Sequence, residues 1–167
     1  MPRCPLLIKQ KQETLQRNLA LYAAAQKGDL VKFNEEVEAG ANIEYKNPKI
    51  IEYRDAKDWG NDNTPLHIAC LLGFMQIVVR LLELNANTNI TNSRLSTPLH
   101  FAIVGEHPEI AVLLLERGAD PHAKNDIKDT PLAWASIRGL LEVVRLLIDR
   151  EADPNASGPY ARDKVST

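Results

Sequence analysis

Apolar positions along the chain fall into a figure that repeats every 33 residues. Aligned on Thr64, Thr97 and Thr130, leucine stands two residues on (Leu66, Leu99, Leu132) and alanine five residues on (Ala69, Ala102, Ala135). Later in each unit come Ile77/Val78, Ile110/Ala111 and Val143/Val144, followed four residues on by Leu81/Leu82, Leu114/Leu115 and Leu147/Ile148. That second set occupies one face of an α-helix. The leucine–alanine run is a separate, earlier helix, and Gly73 and Gly139 lie between the two, where glycine ends a helix with positive φ. The middle unit carries its glycine one place early, at Gly105, and its Pro108 suits the first turn of a second helix. Each unit is therefore predicted as helix, tight turn, helix and extended loop.

Helices of about eight to ten residues are too short to persist alone in water, so stacking must hold them. The small alanines let helices approach and the leucines fill the space between layers. Threonine suits the N-cap and proline the first helical position. A fixed period of this length predicts a solenoid rather than a single globular core, and a solenoid offers a long continuous surface suited to binding.

A fourth, diverged copy precedes the three. Leu21, Ala24 and Gly28 fit the leucine, alanine and glycine positions, and Gly40-Ala41-Asn42 matches Gly118-Ala119-Asp120. Lys32 and Glu36 replace apolar residues there, as an end unit facing water requires. The spacing to Thr64 exceeds one period by twelve residues, and the surplus falls within Lys46–Trp59. The expected divisions are an arm (1–15), a capping unit (16–45), an inserted loop (46–60), three units (61–93, 94–126, 127–156) and a tail (157–167). The insertion is rich in Ile50, Ile51, Tyr53 and Trp59; it either packs back on the first two units or serves recognition. The last unit keeps Val143, Val144, Leu147 and Ile148 apolar. The tail either begins a further unit or folds back over them.

Composition narrows the function without naming it. The net charge of −2 supplies no global attraction to nucleic acid or an anionic membrane. No apolar run approaches the roughly 20 residues that span a bilayer, and Pro5-Leu6-Leu7-Ile8 is too short for a secretory core. Cys4 and Cys70 are too few for a disulfide framework. A reduced, cytoplasmic setting is expected, with the nucleus also open. His107 and His122 have no ligand-spaced neighbours, so neither a metal nor another cofactor is expected. No phosphate loop or nucleophile elbow is present, which argues against an enzyme.

Thr64-Pro65-Leu66-His67-Ile68-Ala69, Thr97-Pro98-Leu99-His100-Phe101-Ala102 and Thr130-Pro131-Leu132-Ala133-Trp134-Ala135 resemble the signature of ankyrin-repeat proteins. The resemblance covers about residues 16–156 and implies an all-α repeat solenoid of helix-turn-helix units joined by β-turn or hairpin loops. It implies that His67 and His100 bond to threonine and backbone, and that Trp134, aligned with Ile68 and Phe101, packs in the core. It further implies an interaction scaffold or adaptor, monomeric, that binds another protein on a concave face of loop tips and first helices. Carried onto this chain, the tips are Trp59, Asn61 and Asn63; Arg94, Leu95 and Ser96; Ile127, Lys128 and Asp129. The helix positions are Leu71, Leu72, Val104, Ile137 and Arg138. Together these form an apolar strip with basic edges. The family places glycine two residues before the threonine, where this chain has Asp62, Leu95 and Lys128, so an altered turn is expected there. The alternative functions are binding of a small phosphorylated ligand or oligonucleotide, with Trp59 stacking on a base, or targeting of an enzymatic domain outside this chain.

Overall fold

The computed structural model describes residues 5–49 and 60–154. Its elements are α1 (Pro5–Lys27), α2 (Leu30–Glu38), α3 (Pro65–Leu72), α4 (Met75–Glu83), α5 (Pro98–Val104), α6 (Pro108–Glu116), α7 (Pro131–Arg138) and α8 (Leu141–Asp149). They pair as α1/α2, α3/α4, α5/α6 and α7/α8, and the inner helices α1, α3, α5 and α7 stack in sequence order. The chain is an all-α repeat solenoid. Ala69, Ala102 and Ala135 are fully buried, beside Leu66, Leu99 and Leu132. A side chain no larger than a methyl is what lets neighbouring inner helices close up. The outer helices contribute Ile77, Leu81, Ile110, Leu114, Val143 and Leu147 to the same continuous core. Each such side chain stabilises the stack by about 1.5–3 kcal/mol through burial.

The first helix is longer than the repeat demands. α1 has 23 residues, so most of the stretch expected as an arm is helical from Pro5 onward. Residues 6–17 are exposed, and the buried part begins at Asn18. Propensity accounts for this, because Leu, Lys, Gln, Glu and Arg dominate that stretch and none breaks a helix.

Turns repeat as faithfully as helices. Between the two helices of each unit, Gly28, Gly73, Glu106 and Gly139 take positive φ. After the second helix the same conformation recurs at Gly40, Asn85, Gly118 and Glu151. Gly105 therefore does not take over the role of Gly73. Its own φ is −69°, and Glu106 takes the left-handed position with φ 64°. Glycine is needed at 105 for space, since an added Cβ would collide with the Leu71 carbonyl oxygen. That carbonyl accepts a bond from His107 Nε2 at 3.2 Å, which seals the two units together.

The third left-handed position corrects the expectation of an altered turn. Asp62, Leu95 and Lys128 adopt φ 60°, 55° and 68° in place of the family's glycine. The turn is kept and the side chains bear the strain. For a bulky residue such as Leu95 this conformation is an outlier, costing roughly 1–2 kcal/mol.

Two buried histidines tie unit to unit. His67 Nε2 lies 3.1 Å from the carbonyl oxygen of Ser96, and His100 Nε2 lies 3.3 Å from that of Asp129. A carbonyl only accepts, so Nε2 carries the proton and Nδ1 is left as an acceptor. Nδ1 of His67 then accepts from Thr64 N at 3.1 Å and from the Thr64 hydroxyl at 2.9 Å. His100 repeats this with Thr97, at 3.2 and 2.9 Å. Each imidazole thus closes its own helix and holds the next loop. In the last unit Ala133 stands at this position, and Thr130 Oγ1 alone caps the helix by accepting from Ala133 N at 3.3 Å.

Burial holds both imidazoles neutral, pushing His67 down to about 3 and His100 to about 4 from an ordinary 6.5. The unfolded chain takes up these protons near pH 6.5, whereas the folded chain does not until about pH 3–4. Stability is therefore full above pH 6.5 and is lost as pH falls toward about 4, approaching about 2.7 kcal/mol per pH unit for two sites. Urea unfolding at about pH 7.5 and about pH 5.5 should differ by about 2.7 kcal/mol, and equal midpoints would refute the assignment. Leu95→Gly relieves left-handed strain at the cost of glycine's greater unfolded freedom. It should raise stability by about 0.5–1 kcal/mol, read as a higher thermal midpoint; a lower one contradicts the strain argument.

Candidate functional site

Among the described residues, the loops before α3, α5 and α7 are hairpins built on asparagine. Asn92 N donates to Ser96 O at 3.1 Å and Leu95 N donates to Asn92 O at 3.1 Å. The Asn92 side-chain oxygen accepts from Arg94 N and Ser96 N, both at 3.0 Å. Asn125 repeats the arrangement. Its backbone N donates to Asp129 O at 3.1 Å, its carbonyl accepts from Lys128 N at 3.0 Å, and its side-chain oxygen accepts from Ile127 N and Asp129 N. A carboxamide that satisfies two backbone donors locks the turn. Residues three and two before the threonine are pushed outward, and the residue immediately before it is turned in.

Asn47 is the corresponding residue of the first hairpin. Its N donates to Asn63 O at 3.0 Å, its carbonyl accepts from Asp62 N at 2.7 Å, and its side chain accepts from Lys49 N at 3.1 Å. The hairpin thus closes on the same pair of backbone bonds as the others and shares one of their side-chain bonds. Sequence reasoning missed Asn47 because it counted back five residues from Thr64 and reached Trp59. The available signal was Lys46-Asn47 beside Lys124-Asn125. Trp59 itself, with Ile50, Ile51 and Tyr53, lies outside the described residues, as does the 155–167 tail.

Neighbouring tips are bonded to one another. Ser93 N donates to Asn61 O at 3.1 Å, and Asn61 N donates to Ser93 Oγ at 2.9 Å. Asp126 N donates to Arg94 O at 2.9 Å. Gly60 sits so close to the second hairpin that an added Cβ would meet Arg94 Cγ and Ser93 Oγ. The row of tips is consequently one rigid edge rather than separate fingers.

Several expected contact residues belong to the frame instead. Asn63, Ser96 and Asp129, each immediately before its threonine, are buried. Asn63 donates to Gly60 O at 2.9 Å and accepts from Asn92 Nδ2 at 2.9 Å, so its carboxamide is spent inside the stack. Leu71 and Val104 are buried as well, because α3 and α5 are each sandwiched between neighbouring inner helices. The residues left at the surface are Leu95 (49 % exposed), Ile127 (38 %), Lys128, Ile137 (40 %) and Arg138, with Asn61, Leu72 and Arg94 half-buried. Trp134 is partly buried and packs against the core.

Charge also departs from the expected basic edges. Arg94 pairs with Asp126 at 2.9 Å, across adjacent hairpins, and Arg138 pairs with Glu106 at 2.9 Å across adjacent units. The Arg138 guanidinium also lies 5.9 Å from the Trp134 ring centroid. These arginines meet carboxylates of the chain itself. Among the described residues no group of three or more His, Cys, Asp or Glu could hold a metal ion. Cys70 is buried, and burial pushes its thiol above the ordinary range, away from the reactive thiolate. No helix among the described residues is long and apolar enough to cross a membrane.

The repeated geometry has a counterpart among known families. A family model described as "Ankyrin repeats (3 copies)" matches residues 21–125, and one described as "Ankyrin repeat" matches residues 128–159. A search of curated proteins found no match for the chain. With four helix pairs, buried Thr–His caps and bonded hairpins at one period, and with both family matches over them, the chain belongs to the ankyrin-repeat family.

Proposed function

We propose that this chain is a non-enzymatic scaffold or adaptor that binds a partner protein along the edge of hairpin tips. Ankyrin repeats are generally protein–protein interaction modules; the finer reading concerns which surface is used. The observation that carries it is a row of tips fixed to one another, presenting Leu95 and Ile127 to water. An exposed leucine held in a left-handed conformation is destabilising for the fold alone, and such strain points to a functional demand. A rigid edge binds without the entropic loss of ordering loops. Asn61, Arg94, Lys128 and, at the far end, Ile137 and Arg138 flank this apolar line. The inserted sequence holds Tyr53 and Trp59, of the residue types that dominate interface energetics. Phosphate recognition has less support, because Arg94 and Arg138 meet carboxylates within the chain.

Removing residues 48–59 joins Asn47 to Gly60 and leaves Asn-Gly-Asn-Asp-Asn-Thr, the same length as Asn92–Thr97. This variant should fold cooperatively and gain about 1 kcal/mol from the shorter loop closure. A loss of several kcal/mol would show that the insertion braces the stack. Proteins captured from host lysate by the intact chain should be lost on Leu95→Ser/Ile127→Ser. They should be retained by Val31→Glu, at an exposed residue of α2 remote from the tips. A partner retained equally by all three proteins would place recognition elsewhere.

A further inference from the structure

The net charge of −2 conceals a separation of charge across the molecule. The outer helices α2, α4, α6 and α8 hold eight carboxylates against three cations, Lys32, Arg80 and Arg145. The three hairpins reverse the sign. Their described residues (46–49, 60–63, 91–96 and 124–129) hold five cations, Lys46, Lys49, Arg94, Lys124 and Lys128, against Asp62, Asp126 and Asp129. Of those carboxylates, Asp129 is buried and Asp126 pairs with Arg94 at 2.9 Å. The four lysines are exposed. Lys46 Nζ donates to the Thr91 carbonyl at 2.7 Å, which fixes its charge beside the second hairpin without neutralising it.

The same tips carry the exposed apolar residues Leu95 and Ile127. Arg94 O accepts from Asp126 N at 2.9 Å, and each apolar residue directly follows its member of that pair. Leu95 and Ile127 are therefore held one unit apart, at the spacing of about 8–10 Å at which packed helices repeat. A chain in polyproline-II conformation turns its side chains the same way every third residue, at about 9 Å. Apolar residues at i and i+3 of such a segment meet both anchors. Its other positions lie against an edge whose sign is set by the lysines.

We propose that the partner meets the tip edge with an extended acidic segment, carrying apolar residues at i and i+3 and Asp or Glu around them. The inference rests on the tip edge being the binding surface and adds the partner's chemistry. Acidic side chains are drawn to the hairpins and repelled by the outer helices, so charge selects the direction of approach as well as the partner. A nucleic-acid strand is anionic too, but the described hairpin residues include no aromatic side chain on which a base could stack.

Fluorescence anisotropy with the full chain tests this on three sets of synthetic peptides. All share apolar residues at i and i+3; the remaining positions are Asp/Glu, Asn/Gln or Lys. The acidic set should bind about tenfold more tightly than the amide set, as expected of two or three exposed charge pairs, and high salt should erase the difference. Lys49→Gln/Lys124→Gln should remove most of the preference, whereas Arg145→Gln on α8 should leave it. Circular dichroism confirms that each variant is folded. The proposal is overturned if amide or lysine peptides bind as tightly, if the preference survives the lysine changes, or if no acidic peptide binds at millimolar concentration. Tighter binding of a mixed-sequence single-stranded oligonucleotide overturns it as well. Leu95→Ser/Ile127→Ser separates the two levels of the argument. Unchanged binding of the acidic set shows that the edge itself is the wrong surface. Equal loss from acidic and amide sets that bound alike keeps the edge and rejects the acidic partner.

Discussion

A carbonyl turned into a protein interior has two lone pairs to satisfy, and in this array its own hairpin supplies one donor and the neighbouring unit the other. Ser96 and Asp129 point their carbonyls inward, and His67 and His100 reach across the unit boundary to meet them. The same rings receive the threonine that starts their own helix. Because both ring nitrogens are committed, the imidazole fixes the distance from one hairpin to the next helix start. The helices then repeat at a constant spacing, and so do the alanines between them. The neutral state of the rings follows from that burial, and so does the dependence of the stack on pH.

Most of the helical frame was legible from the chain. Leucine, alanine and the later apolar pairs name the buried faces, and Thr-Pro names the helix starts. The loops were legible only in part, for a physical reason. Side chains facing inward in these hairpins are polar, so Asn63, Ser96 and Asp129 look like surface residues although all three are buried. Pattern reading sorts residues by hydropathy, and a buried hydrogen-bond network defeats it. Conformation misled in a second way. Glycine is the expected left-handed residue, yet Leu95, Lys128 and Glu106 take that role without it. The period of the backbone outranks local preference, since shifting a turn by one residue would misplace every contact after it. Gly105 illustrates the converse, being a glycine kept for closeness to Leu71 rather than for φ.

The insertion shows what such a frame permits. Asn47 closes the first hairpin with the backbone bonds used by Asn92 and Asn125, so twelve further residues of sequence do not disturb the register of the unit that follows. Loop-closure entropy rises only slowly with length, whereas a displaced hairpin root would break bonds in two units at once. Added length is therefore tolerated at the tip and nowhere nearer the helices. This places variation on the edge that the ladder of Asn61, Ser93, Arg94 and Asp126 holds rigid.

The rigid edge and the faces of the outer units answer to different constraints. Within the array, a polar residue on an inter-unit face costs the stability of two units, so those positions are apolar from the second unit to the last. At a terminal face that cost disappears, and exposure of large apolar side chains to water becomes the dominant penalty. The first unit meets it with Lys32, Glu35 and Glu36, whose ion pairs are worth little individually but keep the face wet. α8 keeps Leu141 and Ile148 instead, although solvation alone would favour polar residues at both.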